Sequence, residues 1–121
     1  MIAVSDTSPL NYLVLIGYID VLSELYSRVL IPQSVYEELN AQKTPARVRD
    51  WRENPPSWIE VSCEQLRPDV SMHHLHAGER DAIALALQVE AEVLIIDERQ
   101  GREEAEKAEL NVIGTIGVLG A

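Results

Sequence analysis

The sequence predicts an α/β fold of three layers, with a central, mainly parallel sheet between two layers of helices. Short apolar runs of strand type ("IAVS", "RVLI", "EVLII", "NVIG") recur along the 121 residues, and stretches of helical period stand between them. Alternation of that kind makes a parallel sheet, because each parallel pair needs a crossover, and right-handed crossovers leave few ways to connect it. No repeat or low-complexity tract interrupts the pattern. The length suits one domain, residues 1–121, large enough for a hydrophobic core without metal or disulfide staples.

"IAVS" is a short buried strand that runs straight into Asp6. Ser8 and Pro9 give a helix start, since Pro has no N–H to lose at the first helical position. That helix continues through "LNYLVLI" and stops at Gly17. "IDVLSELY" follows as a second helix, "RVLI" as a strand and, after Pro32, "SVYEELNA" as a helix. Thr44 and Pro45 open the helix "PARVRDWRE", which Pro55 and Pro56 end. "WIEVS" is a strand. Residues 62–77 read as a polar loop carrying His73, His74 and His76. Gly78 to Glu92 form the clearest helix, apolar on both flanks and so expected between layers. Then come the strand "EVLII", the exposed helix "REEAEKAEL" with a Glu103–Lys107 pair four apart, and the strand "NVIG". "GTIGVLGA" begins a further helix just as the chain stops at Ala121. An uncovered apolar patch is expected there, and with it a homodimer or another covering partner.

Apolar residues make up 46% of the chain and charged residues 25%, ordinary values for a globular protein. The longest apolar runs fall far short of the roughly 20 residues of a membrane span. No basic segment precedes the first strand, so no secretory leader is expected. The lone Cys63 excludes an internal disulfide and fits a reducing cytoplasm. The net charge of −10 argues against binding nucleic acid by bulk electrostatics. It does not exclude nucleic-acid chemistry at one site, because a divalent cation inverts the field locally. Arg47, Arg49 and Arg52, and again Arg99 and Arg102, lie close together; they are either solvated helix faces or a rim that guides phosphates.

Ligands of parallel α/β sheets bind outside the carboxyl ends of the strands. Asp6 follows the first strand, and Asp97 and Glu98 follow "VLII", so acids far apart in sequence reach one sheet edge. Glu38 lies about 60° from Val35 on a helical wheel and about 100° from Leu39, whereas Glu37 lies about 160° from both. Glu38 is therefore the candidate for chemistry. Glu37 completes Ser34-x-x-Glu37, a capping box. Asp81 opens the long helix, where an acid complements the dipole; Glu79 could do the same, and Leu85 and Gln88 on the Asp81 face look interior. A carboxylate placed there calls for a cation. Carboxylates without Cys or an obligatory His suit Mg²⁺ or Mn²⁺, which can polarise a phosphoryl oxygen and generate hydroxide near neutral pH. "DTS" lacks the D-x-D of an aspartyl-nucleophile phosphatase, no G-x-x-x-x-G-K-[ST] loop occurs, and the three histidines lack the companions that zinc requires. His76 is the histidine nearest the helix start and the site.

"VSDTSPLNYLVLIG", "IPQSVYEEL", "LHAGERDAIALAL" and "VLIIDERQGR" together resemble PIN-domain proteins, in particular a prokaryotic branch related to VapC-type toxins, over nearly the whole chain. The resemblance implies a PIN-like α/β/α fold whose clustered acids bind Mg²⁺ or Mn²⁺ and hydrolyse RNA phosphodiester bonds. Carried over by position, it implies that Asp6, Glu38, Asp81 and Asp97 form the acidic cluster, with Ser8 a nearby hydroxyl that orients a water or a carboxylate. Asp6, Asp81 and Asp97 would hold the metal, with Glu98 an alternative to Asp97 as the fourth ligand. The expected function is a metal-dependent endoribonuclease, the toxin of a type II toxin–antitoxin pair, with RNA as substrate and an antitoxin protein as partner. The alternatives are a PIN-like module that binds protein or RNA without cleaving, and a metal-dependent hydrolase of small phosphorylated molecules.

Overall fold

The computed structural model describes residues 1–41, 43–68 and 72–121. Residues 69–71 of the expected polar loop lie outside the described residues. In chain order the elements are β1 (Ile2–Ser5), α1 (Thr7–Ile16), α2 (Val21–Leu25), β2 (Arg28–Pro32), α3 (Gln33–Glu38), α4 (Ala46–Glu53), β3 (Ile59–Ser62), α5 (Ala77–Gln88), β4 (Val93–Ile95), α6 (Arg99–Lys107), β5 (Val112–Ile113) and α7 (Thr115–Leu119). The five strands form one sheet in the order β3-β2-β1-β4-β5, parallel throughout. β1 is central, and the order reverses beside it. The chain winds outward through β2 and β3 on one side, then returns to build β4 and β5 on the other. A crevice at the carboxyl end of β1 is the consequence, and ligands of such sheets bind at that switch point.

The strands are buried on both faces, which is why they read as continuous apolar runs rather than as alternating ones. Ala3, Val29, Ile31 and Ile95 point into one core with Leu10, Leu13, Leu22, Val35, Val48 and Val118 of the helices α1–α4 and α7. Val4, Leu30, Leu94 and Ile96 point into the other, with Ala82, Ile83, Leu85 and Ala86 of α5 and Ala105 of α6. The three layers expected from the sequence are therefore present. No helix among the described residues is long and apolar enough to cross a membrane.

Local signals held to differing degrees. Gly17 ends α1 in the left-handed region, φ 81°. Its N–H bonds the Val14 carbonyl at 3.1 Å, and Tyr18 N–H bonds Leu13 at 2.9 Å, the paired closure that only a residue tolerant of positive φ makes without strain. α1 begins at Thr7, so Pro9 stands third rather than first, still inside the turn whose N–H groups have no helical partner. α5 ends at Gln88 rather than Glu92, and Gln88 is exposed, donating to Glu64 across the surface. On α6 the pairs are Arg99–Glu103 at 3.2 Å and Lys107–Glu104 at 3.3 Å in place of Glu103–Lys107. Glu104 is half-buried and the other three are exposed, so both pairs are of little energetic weight. α7 seats Val118 fully in the core and leaves Ile116 84% exposed.

Candidate active site

Asp6 stands immediately after β1, at the switch point. Its backbone N–H bonds the Ile95 carbonyl at 2.9 Å, which continues the β1–β4 ladder one residue further and fixes the Asp6 main chain to two strands. The residue is 3% exposed, and its Oδ1 is buried with no hydrogen-bond partner among the described residues. Its pKa is raised to about 7, first by burial and then by the carboxylates of Glu79, Glu38 and Glu98, with the adjacent Thr7 amide pulling the other way. A buried, unpartnered carboxylate oxygen is costly, so Asp6 is better suited to accepting a cation or a proton than to holding the fold.

Glu38 reaches this site from the last turn of α3, and Glu37 points to solvent, as the helical wheel requires. Glu38 Oε2 accepts the Thr7 hydroxyl at 2.6 Å and Oε1 accepts the Gly78 N–H at 3.0 Å. The carboxylate thus bridges the N-termini of α1 and α5. Gly78 is required by close approach: a Cβ there would stand 2.6 Å from Glu38 Oε2 and 2.8 Å from Oε1. Gly78→Ala is therefore expected to expel the Glu38 carboxylate and lower stability by about 1–3 kcal/mol, the range for a hydrogen bond to a charged group. Thermal melts of the two proteins check it; an unchanged melt would mean that Glu38 moves aside freely.

The capping box read from Ser34 and Glu37 does not form. α3 starts one residue earlier, after Pro32, so Ser34 lies inside the helix with its buried Oγ unpartnered, and Glu37 meets only the Gln33 amide at 3.5 Å.

From α5 the acid turned toward Asp6 is Glu79, not Asp81. Glu79 is 6% exposed, and of the carboxylates around Asp6 it raises that pKa most. Its Oε1 accepts the His76 N–H at 3.2 Å, closing the first turn of the helix. Gly101 of α6 keeps room for it, since a Cβ there would stand 3.2 Å from Glu79 Oε2. Asp81 lies on another face. It stands 3.9 Å from Arg80 Nε and lines a polar cleft with Ser34, Ser62 and Cys63. The expectation that it joins the cluster is corrected by the helix period: Glu79 shares its face with buried Ile83 and Ala86, whereas Asp81 shares one with Leu85 and the exposed Gln88.

The two acids after β4 also part company. Asp97 turns to the start of α7, its Oδ1 accepting the Thr115 N–H at 2.8 Å and its Oδ2 the Thr115 hydroxyl at 2.6 Å. Gly114 lets this happen, because a Cβ there would stand 2.8 Å from Asp97 Oδ1 and 2.9 Å from Arg102 Nη1. Glu98 is exposed, carries no ion pair among the described residues and adds to the field at Asp6. Ser8 lines the neighbouring groove, and the hydroxyl bonded to a site carboxylate belongs to Thr7. His73, His74 and His76 are exposed.

Asp6, Glu38, Glu79 and Glu98 thus face one edge of the sheet in a field that favours a proton or a cation. The donor set is all carboxylate, which suits a hard divalent ion, and the orphaned Asp6 Oδ1 is the atom that such an ion would satisfy. Among the described residues no three His, Cys, Asp or Glu side chains already stand close enough to share one ion, so an ion held by one or two of these carboxylates would complete its shell with water.

A parallel α/β domain with acids gathered at its switch point is the class of fold in which ligands bind beyond the carboxyl ends of the strands. The family model DUF3368, described as a PIN domain, matches residues 2–121, and the chain belongs to that family. Among solved structures it is similar to a PilT N-terminus domain protein from the hyperthermophilic archaeon Sulfolobus solfataricus P2, with a TM-score of 0.70 at 18% identity over 99% of this chain and 92% of that one. At that identity the likeness concerns the fold. No curated protein matches the sequence. PIN domains are commonly nucleases and generally use divalent metal ions.

Proposed function

We propose that the protein is a divalent-metal-dependent endoribonuclease that uses Mg²⁺ or Mn²⁺. The observation that carries this is Asp6: a rigidly held, buried carboxylate with an unpartnered oxygen, in a field set by Glu79, Glu38 and Glu98 at the switch point of a PIN domain. Asp6, Glu79 and Glu98 would hold the ion, which when bound polarises a phosphoryl oxygen and lowers the pKa of water. Glu98 takes precedence over Asp97 in that set because Glu98 adds to the field at Asp6, whereas Asp97 turns to Thr115 of α7. Glu38, clamped between Thr7 and Gly78, is positioned to accept a proton from an attacking water. Asp97 would fix the entry to α7.

The finer reading is the toxin of a toxin–antitoxin pair, with an antitoxin and a second copy of the chain as partners; a small gene for a DNA-binding antitoxin immediately upstream would support it. A PIN-like module that binds without cleaving is favoured by one observation, the absence among the described residues of three acids already within reach of one ion. Cleavage of single-stranded RNA with Mn²⁺, with and without chelator, separates the two. Glu79→Gln keeps the acceptor for the His76 N–H and removes the charge, and is expected to lower cleavage roughly a hundredfold. Asp81→Asn is expected to stay within a few-fold of wild type. Full activity in Glu79→Gln with loss in Asp81→Asn would reverse the assignment, and no cleavage by the wild type would leave the binding module.

A further inference from the structure

Beside the acids the surface opens into a groove of about 430 Å³. Its walls are apolar, with Tyr12 and Ile16 from α1 facing Ile116 and Leu119 from α7, and Asp97 and Glu98 stand at its mouth. Tyr12 is 58% exposed and Ile116 84%. Large apolar side chains left in the open on adjoining elements mark a binding surface. We infer that the groove is a nucleobase subsite, in which Tyr12 stacks on a base of a single-stranded RNA whose phosphate lies at the acid cluster. This rests on the ribonuclease reading and adds the element that holds the strand.

Position and chemistry select that occupant. Ser8, on the groove wall, is two residues from Asp6, and Glu98 belongs both to the mouth of the groove and to the field at Asp6. Phosphate site and groove are therefore continuous, as a phosphate and its own base are. A chain of net charge −10 with acids at the groove mouth repels phosphate inside the groove but not a base, which is uncharged. A base offers a π face to Tyr12, and the exocyclic amino groups of adenine, cytosine and guanine are donors that a carboxylate accepts. The polar cleft lined by Gln33, Ser34, Ser62 and Asp81 has no aromatic side chain among the described residues. Stacking is therefore expected on the α1–α7 side alone.

The test is binding of short single-stranded RNAs carrying one 2-aminopurine at successive positions, in Ca²⁺, by wild type, Tyr12→Ala and Tyr12→Phe, with light scattering on each protein. Quenching is expected at one position only. Tyr12→Ala should abolish it and weaken binding roughly tenfold, and Tyr12→Phe, which keeps the ring, should retain both. Equal affinity and no position-specific quenching in wild type and Tyr12→Ala would overturn the subsite while leaving the nuclease untouched, provided cleavage persists. A wild-type dimer that Tyr12→Ala dissociates would assign the groove to a second copy and overturn the subsite as well. A wild type that neither binds nor cleaves RNA would sink the subsite together with the reading beneath it.

Discussion

Asp6→Asn is expected to reduce Mn²⁺-dependent cleavage of single-stranded RNA roughly a hundredfold or more, with the fold intact. The substitution keeps the side-chain volume in a position only 3% exposed and leaves the Asp6 N–H to Ile95 bond in place. It removes the charge that makes the site attractive to a cation. Positional precision is the other part of the expectation: a side chain at the end of a central strand, with its main chain bonded to the neighbouring strand, holds a ligand more rigidly than one on a loop. Glu37→Gln is the control. Glu37 is exposed, its side chain's one hydrogen bond among the described residues is a 3.5 Å approach of Gln33, and the change is expected to stay within about 0.5 kcal/mol in stability and to leave cleavage unaltered. Cleavage by Asp6→Asn equal to wild type would remove the nuclease assignment, and cleavage that survives a chelator would point to a contaminant.

Asp6 and Glu38 were legible in the sequence for physical reasons that survive folding. A strand running into an acid places that acid at the sheet edge whatever surrounds it, and Val35 and Leu39 fix the inward face of α3, so Glu38 must turn toward the core and Glu37 away. The choice between Glu79 and Asp81 was not settled by the same reasoning, because either acid complements the dipole of a helix beginning near Gly78. What decides it is the end of α5: with Gln88 on the surface, the Asp81 face is the wetter one, and Glu79 aligns with Ile83 and Ala86. Ser8 rests on the resemblance alone; α1 starts directly after Asp6, which puts Thr7 in the first position, where its hydroxyl bonds Glu38 of α3. The role of Asp97 could not be read at all, since it depends on α7 returning from the far edge of the sheet to offer Thr115. The apolar runs mark the strands but not which layer each side chain meets; the pleat sends Ala3, Val29, Ile31 and Ile95 to one core and Val4, Leu30 and Leu94 to the other.

The pH dependence of stability should single out the same residue without any assay of RNA. Asp6 titrates at about 7 in the folded chain against 3.8 for an ordinary aspartate. Burial is the first cause, so the shift does not depend on the neighbouring acids alone. Between those two values the folded state holds a proton that the unfolded state has released. The folded state binds more protons, and stability falls as pH rises through this window. Below about pH 4 both states are protonated and nothing is lost. Above about pH 7 both are ionised and the full penalty is present, on the order of 4 kcal/mol. Asp6→Asn does not titrate, so its melting temperature should match that of the wild type near pH 4 and exceed it by roughly 15 °C at pH 8. Millimolar Mn²⁺ should close that gap by binding the ionised wild type, because an ion that binds only the folded state stabilises it by mass action. It should do little at pH 4, where the Asp6 proton blocks it, and little to the variant at any pH. The decisive measurement is a set of four melting curves at pH 8, wild type and Asp6→Asn with and without Mn²⁺. A variant advantage that Mn²⁺ leaves unchanged would mean that the buried charge is real but meets no metal. No advantage at all would mean that Asp6 is already neutralised by a partner inside the fold.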